Sequence, residues 1–251
     1  MIEEKPSFAA SDAATAGKEK KNKKSEFNLD LEEMAKAGLH FGHRTSKINP
    51  KMKPYISSVR NAVHIIDLEK TIDHFDQALK FIQDLISQGK IILFVGTKIQ
   101  SKGLVKETAQ ECDLPYINQR WLGGTFTNFK ILKKRIDYFK EMEEKKKKGD
   151  LAKYTKLERI KIDEELKNLE IKFGGIKNMN ELPDAIFVLD MKKDALAIKE
   201  ARTKGIKVIS VADTNIDPSL ADYPIPANDD AMSSVKYILD RVKDVIIKSK
   251  K

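Results

Sequence analysis

The sequence IILFV at residues 91–95 decides the fold, because a continuous apolar run of this length is typical of a strand buried on both faces. Such strands occur mainly in parallel sheets whose two faces are covered by helices. A helical pattern over 71–88 precedes this run and ends at Gly89, and a second helix is predicted over 98–111. The surroundings of 91–95 therefore predict a helix–strand–helix unit.

The same alternation extends through most of the chain. Further helices are predicted near residue 30, over 193–203 and from about residue 230. The other predicted strands are 62–68, 115–117, 185–189 and 208–211, and a short apolar stretch follows at 223–226. Strands that alternate with helices in this way indicate right-handed crossovers and a parallel sheet. The predicted architecture is a three-layer α/β domain.

Residues 128–173 interrupt the alternation. They are mostly charged, but apolar residues recur at intervals of three and four, which is the spacing of a coiled coil. These residues are Leu132, Ile136, Phe139 and Met142 in the first half, and Ile162, Leu166, Leu169 and Phe173 in the second. With a reversal at KKKKGD (145–150), the pattern predicts an inserted antiparallel helical hairpin, and a partly disordered charged insertion is the alternative.

The chain therefore divides into three parts. Residues 1–28 are rich in Ala, Ser and Lys and have no apolar period, which predicts a disordered basic tail. The α/β domain is discontinuous and comprises 29–127 and 174–248. The hairpin, 128–173, is inserted between its two segments.

Composition excludes several classes of protein. The 251 residues include 47 Lys and Arg against 38 Asp and Glu, and the formal net charge of +9 favours an anionic partner. No apolar run approaches the roughly 18–20 residues that span a bilayer, and the N-terminus lacks the apolar core of a signal peptide. A single cysteine, Cys112, excludes an internal disulfide. We expect a cytoplasmic protein that is not inserted in a membrane.

Positive charge is concentrated in two windows without any Asp or Glu. The first basic window is 34–66, and the second basic window is 114–136, which contains the only tryptophan, Trp121. Protein surfaces usually mix both signs, so unbalanced cations suggest a polyanion as partner. Chance clustering in a basic chain is the alternative.

Motifs for catalysis or metal binding are not recognisable. The segment VGTKIQSKG after the strand at 91–95 lacks the glycine spacing that closes a backbone around phosphates. His40 and His43 lie three apart, but Cys112 is far away in sequence, so a four-ligand zinc site is not expected. The acidic run at 213–217 resembles a calcium loop until Pro218 replaces the glycine. We therefore expect no catalytic residue, no metal and no cofactor.

The first basic window has the residue types of an RNA-binding loop. Its glycine and prolines favour an irregular exposed loop. Lys47, Lys51 and Lys53 can neutralise phosphates, while Arg44 and Arg60 can bind phosphates bidentately.

The second basic window combines a glycine pair with an aromatic side chain. Gly123 and Gly124 permit close approach of the backbone to a partner. Trp121 offers a stacking face for a base, or else anchors the core where the insertion leaves the sheet. The sequence is compatible with both roles of Trp121.

Several motifs resemble one known family, the bacterial ribosomal small-subunit protein S-two. The motifs are KAGLHFGHRTSKINPKMKPYI, VHIIDLEKT, ILFVGTK, NQRWLGGTFTNF, GGIKNMNELPDAIFVLD, AIKEA, VADTNIDP and IPANDDA. The resemblance covers about residues 30–245. It implies a flavodoxin-like domain with a helical hairpin, no enzymatic activity, and a structural role in the small (30S) subunit against 16S rRNA. Implied partners are neighbouring small-subunit proteins and, in some bacteria, the mRNA-binding protein S-one; a homo-oligomer is not expected. The alternative function is a nucleotide- or phosphosugar-binding enzyme on the same type of sheet.

The resemblance also assigns RNA-facing positions by motif match. In the first window they are His43, Arg44, Lys47, Asn49, Lys51 and Lys53, and Arg60 joins them on charge. In the second window they are Asn118, Arg120, Trp121, Gly123, Gly124 and Asn128. The chain departs from the family pattern at Ile48, where a tryptophan is usual, and at Phe129, where another tryptophan is common.

Overall fold

A computed structural model describes residues 26–149 and 155–250. The helices are α1 (Leu31–Ala37), α2 (Leu68–Ser87), α3 (Lys102–Glu111), α4 (Phe129–Lys147), α5 (Lys156–Phe173), α6 (Ala195–Thr203) and α7 (Met232–Ser249). The strands are β1 (Phe41–Arg44), β2 (Ile56–Arg60), β3 (Val63–Ile66), β4 (Ile92–Val95), β5 (Tyr116–Ile117), β6 (Ala185–Val188), β7 (Lys207–Ala212) and β8 (Tyr223–Pro226). Over these two ranges, no helix is both long and apolar enough to cross a membrane.

Five strands form a parallel sheet in the order β5-β4-β6-β7-β8. Renumbered from β4, this is the 2-1-3-4-5 order of flavodoxin-like folds, in which the chain first adds a strand on one side and then continues on the other. Every residue of β4 and β6 is buried, as the apolar run at 91–95 predicted. The prediction of an α/β domain with a parallel sheet is confirmed.

Helices cover both faces of this sheet. On one face, α1, α2, α3 and α7 enclose a core that contains Phe75, Phe94 and Phe187. On the other face, α6 contributes Ile198 to a second core, together with Trp121 from the second basic window. Because helices cover both faces of the sheet, its central strands are apolar at every position and do not alternate apolar with polar residues.

The first basic window is more regular than the sequence predicted. It contains β1 and β2, which pair with β3 in a separate antiparallel sheet in the order β1-β3-β2. The expected irregular loop is therefore limited to short 3-10 segments, including Pro50–Tyr55. The strand predicted at 62–68 is also outside the parallel sheet, because Asn61 and Ala62 form a two-residue turn with positive φ. A turn this short can join only antiparallel strands.

The charged insertion contains two helices that contact each other. On α4, Leu132, Ile136 and Phe139 are buried, and on α5, Leu166 and Phe173 are buried. A salt bridge of 2.6 Å also joins Lys146 Nζ on α4 to Asp163 Oδ1 on α5. The predicted reversal of the chain lies partly outside the described residues, as does the predicted tail up to residue 25.

Candidate nucleic-acid interface

Both basic windows lie at the edge of the parallel sheet where its strands end. The second window contains β5 and continues directly from it. The first window reaches the same edge by packing on the loop after β7, where the backbone N–H of Asn49 donates to the carbonyl of Thr214 at 2.9 Å. The N–H of His43 donates to Thr214 Oγ1, also at 2.9 Å. Two segments about 70 residues apart in sequence therefore contribute to one edge of the domain.

Gly42 makes this packing possible. A Cβ atom at position 42 would lie 2.5 Å from Cγ2 of Thr214, closer than real Cβ contacts occur. The absence of a side chain therefore allows β1 to lie directly against the loop after β7. The glycine in the HFGHR motif therefore has a packing role.

Exposed cations dominate the outer surface of the first window. Its predicted phosphate-binding residues, Arg44, Lys47, Lys51, Lys53 and Arg60, are all exposed. Lys51 differs from the others because its Nζ lies 2.6 Å from Asp217 Oδ2 and 2.9 Å from Ser219 Oγ. The Lys51 ammonium and the Ser219 hydroxyl together lower the pKa of Asp217 to about 2.

Two other predicted RNA-contacting residues of this window are engaged within the protein. His43 is half-buried, and its Nδ1 lies 3.0 Å from Asp213 Oδ2 while Nε2 lies 3.0 Å from Asn215 Nδ2. The hydrogen bond to Asp213 raises the pKa of His43, although burial opposes this. The side chain of Asn49 accepts from the N–H of Lys51 and caps the following 3-10 segment. Both side chains organise the window from inside.

The second window separates into an exposed outer side and a buried inner side. Arg120, Gly123 and Asn128 are exposed. Asn118 is half-buried and donates from Nδ2 to the carbonyl of Lys102 at 3.2 Å. Trp121 is only 6% exposed and meets Phe126 edge to face at a centroid distance of 4.8 Å. The indole therefore has the environment of a core anchor, and little of its ring face is open to a base.

A buried carboxylate that sequence reasoning missed holds this window from beneath. Glu200 on α6 is 5% exposed and accepts hydrogen bonds from the N–H groups of Gly124, Phe126 and Thr127. Burial by itself would raise the pKa of Glu200, but these donors outweigh it and the pKa lies below its ordinary value. Gly124 has a φ of +92°, which turns its N–H toward Glu200 at low conformational cost.

An acidic cluster lies between the two windows, at the ends of β4, β6, β7 and β8. Its centre is Lys98, whose Nζ lies 3.2 Å from Asp190 Oδ2, 2.9 Å from Asp229 Oδ1 and 2.6 Å from Asp230 Oδ1. Burial, with repulsion from Asp190 and Asp213, raises the pKa of Asp229 to about 7. We call Lys98, Asp190, Asp213, Asp229 and Asp230 the carboxyl-edge cluster.

Two members of this cluster, together with His43, form a donor set that suits a divalent metal ion. His43, Asp213 and Asp230 each offer a ligand atom, and these atoms lie within 4.8 Å of one another. Lys98 already pairs with Asp230, so an ion here would compete with an internal ammonium group. These residues belong to distant segments of the chain, so no local sequence pattern links them. The signal that could have found them is that the carboxyl ends of parallel strands meet at one edge.

Most of the chain is similar to the proteins of one family. The family model described as ribosomal protein S2 matches residues 34–249. A relative from Koribacter versatilis (strain Ellin345) is 46% identical over 219 residues, which cover 87% of this chain and 73% of the relative. A relative from Roseiflexus sp. (strain RS-1) is 45% identical, with 87% and 84% covered. A relative from Coprothermobacter proteolyticus is 43% identical, with 88% and 83% covered. All three are named small ribosomal subunit protein uS2.

Proposed function

This chain belongs to the ribosomal protein S2 family, and we propose that it serves the small ribosomal subunit by holding 16S rRNA on the two basic windows. Its role as a structural constituent of the small subunit follows from the family, whose members are structural proteins and not enzymes. The RNA partner and the residues that contact it are our proposal. The observation that carries it is the exposure of unbalanced cations at one edge of the sheet.

In the first window, the proposed phosphate contacts come from four of the five exposed cations that were predicted to bind phosphate. Across the described residues, Arg44, Lys47, Lys53 and Arg60 form no ion pair with any carboxylate. Bringing such cations to a phosphate backbone releases counterions without breaking an internal bond. Lys51 contributes less, because its ammonium already pairs with Asp217. His43 and Asn49 act by shaping the window.

In the second window, Arg120 is the proposed phosphate ligand, and Gly123 and Asn128 are exposed beside it. Lys130, at the start of α4, extends the same charge. Asn118, Trp121 and Gly124 hold the backbone that presents these groups.

The carboxyl-edge cluster divides the proposed RNA surface in two. Four carboxylates there face one lysine and one histidine, so the middle of the edge repels phosphates. Two RNA segments, or two separated parts of one segment, then contact the windows from either side.

The alternative of a nucleotide- or phosphosugar-binding enzyme has no support. In flavodoxin-like folds such ligands bind beyond the ends of the strands that correspond to β4 and β6. Here Lys98, in the loop after β4, fills that position and pairs with Asp190 after β6. The loop also lacks the glycines that would admit a pyrophosphate.

For the charged insertion, we propose an antiparallel coiled coil over 128–173, inserted between the two segments of the α/β domain (29–127 and 174–248). The burial of Phe139 and Leu166 supports it, as does the salt bridge between Lys146 and Asp163. Its charged outer surface suits a contact with another part of the particle. We also propose that the chain acts as a single copy, beside neighbouring small-subunit proteins and the mRNA-binding protein S-one.

The experiment is a salt series of association with small subunits depleted of their own S2-family protein. We expect Arg44→Ala combined with Lys53→Ala to weaken association. Because two phosphate contacts are lost, the negative slope of log K against log salt becomes shallower by about 1.5. Lys51→Ala is the matched control from the same segment, and we expect a smaller effect because its charge is paired with Asp217. Normal association of the double variant at every salt concentration would show that the first window is not the RNA surface.

A further inference from the structure

In the loop between β5 and α4, several hydrogen-bond donors share one buried carboxylate as their acceptor. Residues 121–127 direct five hydrogen-bond donors inward, to the two oxygens of one side chain. Glu200 Oε1 accepts from Gly124 N at 2.7 Å and lies 3.4 Å from Trp121 Nε1. Its Oε2 accepts from Phe126 N at 2.9 Å, Thr127 N at 3.2 Å and Thr127 Oγ1 at 3.3 Å. The donors surround the carboxylate as a protein nest surrounds an anion.

The acceptor belongs to a different element from the donors. Glu200 lies in α6, which follows β6, and α6 is packed into the core by Ala197, Ile198 and Ala201. The carboxylate is therefore fixed to the rigid part of the domain. The loop lies between the two-residue strand β5 and the helix α4, and Trp121 and Phe126 anchor it in the same core.

From this arrangement we propose that Glu200 is a positioning residue for RNA recognition, which fixes the loop that displays Arg120, Gly123 and Asn128. The inference rests on the proposed function of the second window. Because the loop's inner donors are saturated by Glu200, its backbone is held in one conformation before RNA arrives. The entropic cost of ordering the loop is then part of the free energy of folding and does not reduce the affinity for RNA.

The variant Glu200→Gln tests the proposal, because electrostatics and loop positioning predict opposite changes in its affinity for RNA. Glu200→Gln removes a negative charge close to a cationic surface, so electrostatics alone predicts tighter binding to RNA. Positioning predicts weaker binding, because glutamine keeps only one acceptor oxygen. Its amide NH2 would face either Gly124 or the Phe126–Thr127 pair, whose donors would lose their acceptor.

The experiment compares full-length variants for association with small subunits depleted of their S2-family protein. The matched control is Ile198→Val or Ile198→Ala, whichever has the same melting temperature as Glu200→Gln. Ile198 is 3% exposed on the same helix and packs in the same core, so this control separates loop position from general stability. If Glu200→Gln does not fold, Glu200→Asp is used in its place, since it keeps the charge and shortens the reach.

We expect Glu200→Gln to bind on the order of tenfold more weakly than the Ile198 control, the effect of one lost hydrogen bond to a charged group. We also expect the amides of Gly124, Phe126 and Thr127 to exchange with solvent faster, while those of β6 do not change. Association equal to or tighter than that of the Ile198 control overturns the inference.

Arg120→Ala distinguishes this failure from a failure of the proposed function. If Arg120→Ala has no effect while the Arg44 and Lys53 double variant weakens association, the second window is not an RNA surface. In that case Glu200 is not a positioning residue for RNA recognition, while the first window is still the RNA surface. If neither variant weakens association, the proposed RNA surface and the inference fall together.

Discussion

Lys51 and Lys53 lie two positions apart in the same 3-10 segment but differ in their partners. The ammonium of Lys51 is held by Asp217 and Ser219, on the short segment after β7. Lys53 is exposed and pairs with none of the carboxylates in the described ranges. Identical residue types in one basic window therefore have different capacities for a phosphate, and only their partners reveal this.

Trp121 provides a second test at the residue scale. We expect Trp121→Ala to lower the free energy of unfolding by about 3–5 kcal/mol, because a large buried aromatic side chain leaves a cavity. Urea denaturation measures this effect. Arg120→Ala is the control, and as an exposed neighbour it is expected to stay within about 0.5 kcal/mol of the wild type. If Trp121→Ala is as stable as the control but associates poorly with the small subunit, the indole stacks on RNA.

At the scale of elements, the insertion and the sheet have different sources of stability. β4 and β6 are enclosed between two layers of helices, whereas α4 and α5 have exposed apolar residues such as Ile131 and Ile171 on their outer faces. The two helices contact each other, and only part of their apolar surface, such as Leu132, Ile136 and Phe173, joins the second core. We therefore expect them to unfold locally without loss of the sheet.

Leu166→Asp tests this independence. Leu166 is 7% exposed on α5, so an aspartate there places an unpaired carboxylate against α4. We expect the amides of α4 and α5 to lose protection from hydrogen exchange while those of β4 and β6 keep theirs. The matched control is Ile171→Asp on the same helix, where 57% exposure allows the charge to reach water. Equal loss of protection in the sheet would show that the insertion and the domain form one cooperative unit.

At the scale of the whole molecule, the carboxyl-edge cluster joins elements from distant parts of the chain. Lys98 follows β4, Asp190 follows β6 and Asp229 follows β8, while His43 brings the small antiparallel sheet to the same place. The protonation of this cluster therefore affects the global free energy of unfolding.

The raised pKa of Asp229 gives the sign of this effect. In the folded state the pKa is about 7, against 3.8 ordinarily, so between these values the folded protein holds a proton that the unfolded chain releases. Stability therefore falls as pH rises through this range, by up to about 1.4 kcal/mol per pH unit. The raised pKa of His43 acts in the same direction, since its contribution is present below 6.5 and is lost as pH rises through the folded value.

We expect Asp229→Asn to flatten the pH dependence of stability between pH 5 and 7 by about 1 kcal/mol per pH unit. Urea denaturation at a series of pH values measures it. Asp217→Asn is the control, because the pKa of Asp217 is about 2 in the folded state and 3.8 ordinarily, and both values lie below this range, so the slope is unchanged. An unchanged slope in Asp229→Asn would mean that Asp229 is already ionised in the folded protein at pH 5.

The predictable and unpredictable parts of the structure differ in the distance over which residues interact. The strand at 91–95 and the helix before it were predictable because apolar spacing is a local signal. Glu200 was not, because its hydrogen-bond donors are about 75 residues away and a glutamate in a helix usually faces water. His43 was recognisable as part of a basic window. Its orientation toward Asp213 was not predictable, because it depends on how β1 packs on the loop after β7.

The position of the insertion also bears on the rate of folding. Ile92 of β4 must find Ala185 of β6, and the entropy of closing a loop this long, about 90 residues, opposes the central pairing of the sheet. The two ends of the insertion, Phe129 and Phe173, meet in the same core, so early pairing of α4 with α5 shortens the loop by about 45 residues. Halving a loop lowers its closure cost by about 0.6 kcal/mol, nearly a threefold faster search at equal stability. We therefore expect early pairing of α4 with α5 to speed the formation of the parallel sheet.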